Sequence, residues 1–277
     1  MLLFLAPSVL GFAIFYFIPF GMGIAQSLTN RTLGGRFVGW SNYSELLASG
    51  SFRKAAANTL LFTGISVPLL LALSLGLALL INRGPFFRQG LQTALILPLV
   101  VPVASVVLVW QIFVDWNGTF NAWLDHLGHG RVDWLQSGAS MGVLVALYLW
   151  KNIGYNLILF LAGLRQIPQD YYETARIEGA GRWHQFRQIT LVYLTPTLFF
   201  VVLISIINSF KVFRETYLLA EDYPVDRIYI LQHYMNNMFA ALEIQKLTAA
   251  ATLMVLCIAV LVTVLLVLER RFRDALD

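Results

Sequence analysis

Six long apolar stretches divide this chain of 277 residues, and they constrain its fold more than any other feature. A helix needs about 20 apolar residues to cross a bilayer, and every stretch reaches that length. Only 12% of the residues are charged and the mean hydropathy is +0.70, whereas a soluble domain carries about 25% charged residues. The sequence therefore predicts an all-α membrane protein with about six transmembrane helices, forming one membrane domain over residues 1–277 with its core spans within residues 55–268. The predicted spans are Leu2–Leu28, Ala55–Ile81, Leu91–Val114, Ser140–Leu164, Tyr193–Leu219 and Leu247–Leu268.

The loop arginines predict which side of the membrane each loop faces. Loops rich in arginine and lysine stay in the cytoplasm. In a six-span protein, the loop after the second span, the loop after the fourth span and both ends of the sequence share one side, which is therefore predicted to be cytoplasmic. The arginines on this predicted cytoplasmic side are Arg83, Arg88, Arg165, Arg176, Arg182, Arg187, Arg270, Arg271 and Arg273. Arg31, Arg36, Arg53 and Lys54 run against this bias, since they lie on the opposite side.

No combination of residues in the sequence indicates an enzyme. The phosphate-binding pattern G-x-x-x-x-G-K-[ST] is absent, and no nucleophile–base pair is recognisable. His126 and His129 have a spacing that could hold a metal on a helix, but zinc sites take three or four ligands. Cys257, the single cysteine, is interpreted as a small buried apolar residue. We expect no catalytic residue, no metal and no cofactor in this chain, and no nucleic-acid partner.

One charged segment, YYETARIEGAGRWHQFRQ (Tyr171–Gln188), interrupts the apolar sequence. The preceding Ile-Pro pair, ending at Pro168, favours a helix start, and the helix dipole favours Asp170 and Glu173 in its first turn. Gly179 and the glycine two residues later should bend the chain sharply. The segment is predicted to form a helix–glycine–helix elbow.

Two interpretations of this elbow follow from spacing alone. Trp183 and Phe186 share one side of the second helix and form an aromatic ridge. The elbow is either an amphipathic loop on the membrane surface or a docking element for a soluble partner. Residue spacing favours neither over the other.

The segment resembles the cytoplasmic coupling motif of ABC-importer permeases, whose pattern is E-A-A-x-x-x-G-A followed by I-x-L-P. The residues that align with the pattern in register are Glu173, Thr174, Ala175, Gly179, Ala180, Ile189 and Leu191. The stretch AGLRQIPQDYYETARIEGA is similar to the carbohydrate-uptake, maltose-type branch of this family, and the resemblance runs along the chain through PSVLGFAIFYFIPF, LILPLVVP, LYLWKNIGYNLILFLAGL and NSFKVFRETYLL. Departures are Thr174 and Glu178 in the motif, Val192 in place of its proline, Arg214 in place of an aspartate, and AEDYPVDR in place of a Gly-Gly-Pro loop.

The resemblance implies a type I ABC importer permease fold and a transport subunit rather than an enzyme. It implies that residues 165–192 form a cytoplasmic coupling loop that docks into a soluble ATPase. It also implies four kinds of partner: a second, homologous permease forming a heterodimer, two ATPase subunits that carry ATP and Mg²⁺, an external solute-binding protein, and a sugar-like substrate. The lipid bilayer of the cell membrane surrounds the spans.

Polar residues within the fourth and fifth spans are candidates for the substrate path. Lys151 lies roughly 16 Å into span four, where a charge should face the bundle or a wet cavity. It either lines the path or bridges helices as a structural lysine. The span-four candidates are Tyr148, Lys151, Asn152 and Tyr155, and the span-five candidates are Ser205, Asn208, Lys211 and Glu215. Ser205, Asn208 and Glu215 are expected on one face, and Lys211 either pairs with Glu215 at i,i+4 or extends to the outer interface.

A permease of the same family for another class of solute is the first alternative, and two functions from other classes of protein also compete with the importer permease. A secondary transporter would work alone, but such proteins usually contain internal repeats, and neither a repeat nor a deep carboxylate pair is visible here. A membrane scaffold without transport activity is the third interpretation. Trp110 is interpreted as an interfacial anchor in preference to a ligand contact.

Overall fold

The computed structural model describes residues 2–32, 34–83, 88–221 and 224–274. Within these ranges the chain is almost wholly helical, with one isolated antiparallel bridge between Thr29 and Phe37. Two π-helical segments, Ala13–Phe17 and Phe186–Thr190, and a 3₁₀ turn, Asp226–Ile228, join the α-helices. The α-helices are α1 Leu2–Phe12, α2 Ile18–Ser27, α3 Ser41–Ala48, α4 Gly50–Arg83, α5 Arg88–Val100, α6 Val103–Val114, α7 Thr119–His126, α8 Ser140–Arg165, α9 Gln169–Ile177, α10 Arg182–Gln185, α11 Leu191–Ser209, α12 Phe213–Ala220, α13 Leu231–Ala240 and α14 Ile244–Asp274.

Among the described residues, six helical stretches are long and apolar enough to cross a membrane, which confirms the predicted fold class. Four of them overlap the predicted spans closely, whereas the third differs and the fifth begins earlier, at Arg182, and contains a break between Ser209 and Phe213. Prolines inside α4, α5 and α11 (Pro68, Pro98 and Pro196) do not end those helices, as expected where packing in a bundle compensates for the missing hydrogen bonds. The stretches are Leu5–Ser27, Gly50–Asn82, Val103–His126, Ser140–Arg165, Arg182–Ala220 and Ile244–Arg271.

The third predicted span, Leu91–Val114, is wrong as a single helix. Helix α5 ends at Val100 and α6 begins at Val103, with Pro102 at ψ 138° between them. A proline disfavours the α conformation of the residue before it and has no N–H to donate, so the chain leaves the helix here. The membrane-length stretch therefore begins at Val103 and extends through α7, while α5 is a shorter apolar helix.

The described residues form two compact units. Unit 1 comprises Met1–Asn58 and Tyr229–Leu261, and unit 2 comprises Thr59–Ile228 and Val262–Asp277. In unit 1 the buried residues come from α3, the start of α4, α13 and α14, and the rings of Phe52 and Tyr234 meet edge to face at 5.5 Å. The prediction of one membrane domain stays a prediction.

Helix α8 is the central packing element of unit 2. Leu157 and Phe160 are fully buried in a cluster that includes Leu194 and Val201 of α11. Gly154 of α8 lies against the backbone of α5, because a Cβ there would come within 2.9 Å of the Ile96 nitrogen. Small residues that allow such close backbone approach are typical of packed membrane helices. This packing fixes α8 beside α11, where most of the candidate path residues lie.

Two single-residue predictions are wrong. Trp110 is not an interfacial anchor, since it is buried with 9% exposure and its ring meets Phe120 and Trp150 at 6.3 Å. Cys257 is exposed rather than buried. Little of α14 is covered by the rest of the chain, so an apolar residue on this helix is exposed on most of its faces. Burial depends on packing partners that hydropathy does not reveal.

Candidate functional site

The charged segment folds as the predicted elbow. Helix α9 ends at Ile177, and Gly179 follows with φ +81°. The Ala180 N–H donates to the Ala175 carbonyl at 2.8 Å, and the Gly179 N–H donates to the Arg176 carbonyl at 3.1 Å. This pair of bonds is the Schellman arrangement, in which a glycine with positive φ satisfies the last carbonyls of a helix. The bend therefore depends on a backbone conformation that glycine adopts without strain.

The second arm of the elbow begins at Gly181, which has φ −67° and ψ 163°. The Gln185 side chain donates to the Ala180 carbonyl at 2.8 Å and so ties α10 back to the bend. The position predicted for Glu173 is wrong by part of a turn. Because α9 begins at Gln169, Asp170 is the acidic residue in its first turn. Glu173 and Thr174 are exposed, whereas Ala175 is half-buried.

Two tyrosines of α9 attach the elbow to the chain at the start of α11. The hydroxyls of Tyr172 and Thr190 are hydrogen bonded at 2.9 Å. The ring of Tyr171 lies 5.0 Å from that of Tyr193. Tyr172 also packs against the buried cluster that contains Leu164. Helix α9 therefore contacts residues of α11 and a buried cluster that includes residues of α8.

The chain between the elbow and α11 is π-helical over Phe186–Thr190. Such segments insert an extra residue into a helix and often occur at functional sites. Thr190, which bonds to Tyr172, is the last residue of this segment and is buried. The elbow is therefore anchored at the irregular turn from which α11 begins.

The elbow exposes large apolar side chains in an otherwise polar region. Ile177 is 87% exposed and Trp183 is 72% exposed. Trp183 stacks obliquely on Phe186, with ring centroids 5.6 Å apart, so the predicted aromatic ridge is present. Exposed apolar groups rimmed by polar residues are typical of surfaces that bind another macromolecule.

A buried polar network connects α8 to α11. The Tyr148 hydroxyl donates to the Ser205 carbonyl at 2.9 Å, and the Asn156 side chain donates to the Ser205 hydroxyl at 2.8 Å. The Asn152 side chain donates to the Tyr148 carbonyl at 2.8 Å within α8. Tyr148 and Ser205 are fully enclosed, whereas Asn152, Tyr155 and Asn208 are half-buried.

Of the two alternatives for Lys211, the pairing with Glu215 is wrong. The Lys151 ammonium forms the ion pair with the Glu215 carboxylate, and the two side chains are only 14% and 10% exposed. Helix α11 ends at Ser209, and α12 begins at Phe213 after a turn, so the face predicted to join Ser205 to Glu215 is interrupted. Lys211 lies in this turn and is exposed. Lys151 therefore joins two helices, which corresponds to the structural interpretation of this lysine.

Helix α12 is fixed to the bundle by more than this ion pair. The Gln111 side chain of α6 donates to the Leu218 carbonyl at 3.0 Å, and Leu219 is buried beside Val107 and Val143. Arg214, the departure from the family pattern, is exposed. The loop that replaces Gly-Gly-Pro includes residues 222 and 223, which lie outside the described residues.

Three residues that matter in this arrangement were missed or undervalued by sequence reasoning. Tyr172 anchors the elbow, Asn156 completes the polar network, and Ile177 is the most exposed large apolar residue of the elbow. The sequence signal for Ile177 was its position just before the predicted bend. In the described residues, no three His, Cys, Asp or Glu side chains could hold a metal ion, and α7 ends at His126, so His129 is not on that helix.

Comparisons with known proteins agree with the resemblance. Residues 50–276 match the family model described as binding-protein-dependent transport system inner membrane component. The arabinooligosaccharides transport system permease protein AraP of Bacillus subtilis (strain 168) is 34% identical over 226 residues, covering 79% of this chain and 72% of AraP. The probable starch degradation products transport system permease protein AmyD of Thermoanaerobacterium thermosulfurigenes is 30% identical, covering 94% and 90% of the two chains. A crystal structure of a bacterial ABC transporter involved in the import of the acidic polysaccharide alginate contains a similar chain, with a TM-score of 0.86 and 25% identity over 97% of this chain and 94% of that one.

Proposed function

This chain belongs to the family of binding-protein-dependent transport system inner membrane components, and from that premise we propose that it is the membrane-spanning permease subunit of an ATP-driven importer of sugars or oligosaccharides. The observation that carries the proposal is the elbow, because a rigid, partly apolar bend bonded to α11 suits a subunit driven by a partner. The sugar class rests on relatives named for arabinooligosaccharides, for starch degradation products and for trehalose/maltose. The chain is a transport subunit rather than an enzyme.

The elbow is proposed to dock into a cleft of a soluble ATPase subunit. Ile177 and Trp183 supply the apolar contact, and Glu173, Thr174, Ala175, Gly179 and Ala180 set the shape of the bend. Movement of the ATPase pushes α9, and the Tyr172–Thr190 bond passes that movement to α11. ATP and Mg²⁺ are bound on the two ATPase subunits, and this chain holds no cofactor.

The complete importer is proposed to contain a second, homologous permease, two ATPase subunits and an external solute-binding protein. The path for the solute runs beside α8 and the end of α11. Asn152, Tyr155 and Asn208 are proposed to contact sugar hydroxyls, because amide and phenol groups are suitable hydrogen-bond partners for them. Tyr148, Lys151, Ser205 and Glu215 hold the helices that shape this path. Lys211 lies exposed at its outer end.

Uptake of labelled sugars by the purified, reconstituted assembly tests the function. We expect ATP inside the vesicles to drive accumulation of at least one neutral or acidic oligosaccharide from a panel presented with the solute-binding protein. An ionophore that collapses ion gradients should leave that uptake unchanged. Uptake that ignores ATP but stops with the ionophore would assign the chain to secondary transport instead.

The same uptake assay, applied to two side-chain variants, tests whether Asn152 and Asn208 line the solute path. Asn152→Ala and Asn208→Ala are expected to lower uptake roughly 5- to 100-fold, since a lost hydrogen bond to a ligand costs about 1–3 kcal/mol. Assembly should stay intact, because both side chains are half-buried. Ser44→Ala, at an exposed position on α3 in unit 1, is the control. Normal transport by both asparagine variants would remove these residues from the path.

The orientation has its own test. We propose that the elbow and both ends of the sequence are cytoplasmic, as the arginine distribution predicts. In a variant with the exposed Cys257 changed to serine, a cysteine at Arg182 should react with an impermeant thiol reagent only after the cells are opened. A cysteine at the exposed Asn117 should react in intact cells. Labelling of the Arg182 position in intact cells would show that the topology is the inverse of the proposed one. Tyr223, which lies in the loop between spans five and six and is therefore predicted to be external, lies outside the described residues.

A further inference from the structure

A cationic hairpin follows the first membrane span, and the transport function leaves it unexplained. Residues 28–32 and 34–38, the outer hairpin, carry Arg31 and Arg36 on the side where arginine is disfavoured. Arg53 follows in the first turn of α4. Between positions 28 and 54 the sequence contains a single acidic residue, Glu45. The excess of positive charge is therefore local and uncompensated in sequence.

The outer hairpin is held rigidly by hydrogen bonds. The Asn30 N–H donates to the Arg36 carbonyl at 3.1 Å, and the Arg36 N–H donates to the Asn30 side chain at 2.8 Å. The Val38 N–H donates to the Leu28 carbonyl at 2.8 Å. The buried Asn42 side chain donates to the carbonyls of Ser27 and Thr29 at 2.7 and 2.9 Å. These bonds use main-chain atoms of Arg36, and the side chains of Arg31 and Arg36 are both exposed.

The side chains of the hairpin combine cations with exposed aromatic rings. Arg31 and Arg36 are exposed, Phe37 is 75% exposed, and Trp40, just beyond the hairpin, is 74% exposed. Helix α2 ends at Ser27, so Arg31 lies at most roughly 14 Å along the chain from the end of the span. That reach places these groups at the level of the lipid headgroups, where tryptophan is enriched and where lipid phosphates lie.

We propose that the outer hairpin binds the phosphate of anionic lipid headgroups at the membrane surface. The guanidinium forks of Arg31 and Arg36 match phosphate oxygens, and Phe37 and Trp40 enter the interface beside them. The closeness of the hairpin to the end of α2 favours lipid over a protein partner as its occupant. The assignment to the outer leaflet rests on the proposed orientation, whereas the lipid contact itself does not.

The test measures lipid retention by the full chain, in the assembly in which it is extracted from membranes. The protein is exchanged into a detergent mixture containing equal amounts of phosphatidylglycerol and phosphatidylcholine, and the bound lipids are counted by native mass spectrometry. The double variant Arg31→Gln/Arg36→Gln should retain roughly 25-fold less phosphatidylglycerol at this site, or about fivefold less for each charge removed. Phosphatidylcholine retention should not change. Arg36→Lys in place of Arg36→Gln restores one of the two charges, so phosphatidylglycerol retention should then lie about fivefold below that of the wild type.

Arg131→Gln is the matched control, because Arg131 is an exposed cation in unit 2 that already pairs with Asp125. It should leave phosphatidylglycerol retention unchanged. Equal retention by the double variant and the wild type overturns the proposal. If retention is equal and affinity for the solute-binding protein falls, the hairpin is a protein-docking surface instead. None of these measurements depends on solute uptake. A negative result would therefore contradict the lipid-binding proposal without contradicting the proposed transport function.

Discussion

Replacing Gly179 by valine is expected to disconnect ATP hydrolysis from solute uptake while the chain still inserts and assembles its spans. Gly179 has φ +81°, a conformation that a β-branched residue adopts only with strain. A Cβ at this position meets no atom within 4 Å, so the cost lies in the backbone and not in a clash within this chain. At about 1–2 kcal/mol, that strain opens the Schellman bonds and turns α10 away from α9. Uptake should fall roughly tenfold or more.

Gly181→Ala is the matched control for this prediction. Gly181 also lies in the elbow and has open space around it, but its φ of −67° suits any residue. The Gly181→Ala variant should therefore couple ATP hydrolysis to solute uptake as the wild type does. Gly179→Asn should be intermediate, because asparagine tolerates positive φ better than valine does. The measurement is ATPase stimulation by the loaded solute-binding protein, together with uptake and subunit stoichiometry. If Gly179→Val is normal in all three, the elbow is a surface loop without a coupling role.

The sequence allowed the elbow to be predicted because every signal for it is local. A proline before α9 and a glycine after it act within a few residues, and so does the charge pattern between them. The attachment of the elbow was not predictable in the same way. Tyr172 reaches Thr190 only because α9 folds back on the start of α11. Hydropathy reveals that both segments exist, but not which side chains meet.

The break at Pro102 and the partner of Lys151 illustrate two further limits. Membrane helices often continue through a proline, as α4 does at Pro68, so Pro102 alone did not predict the end of a helix. Lys151 and Glu215 are separated by 64 positions, and helical periodicity relates only residues that are a few positions apart. Periodicity could therefore suggest only the nearby Lys211 as a partner of Glu215, as one of two alternatives for that lysine. The correct partner depends on the turn after Ser209, which places Glu215 on a separate helix.

Lys151→Met should be the most destabilising single substitution among the candidate path residues. It leaves the Glu215 carboxylate, whose residue is 7% exposed, without its cation inside an apolar bundle. Removing one partner of a buried ion pair typically costs about 3–5 kcal/mol, because the remaining charge stays buried and uncompensated. Glu215 is on α12, so the loss should loosen α12 from α8 and lower the melting temperature of the purified assembly. Lys211→Met removes an exposed lysine a few residues before Glu215, and it should change stability by less than about 0.5 kcal/mol.

The double variant Lys151→Met/Glu215→Gln separates a structural role from a role in the path. It removes both charges and should recover most of the melting temperature lost in Lys151→Met, since a buried pair replaced by neutral groups is often close to neutral in stability. If the recovered protein also transports, the pair serves to fix α12 against α8. If it is stable but cannot transport, the charges act on the solute or on the opening of the path. A Lys151→Met protein as stable as the wild type would contradict the buried pair itself, because no uncompensated carboxylate could then remain between α8 and α12.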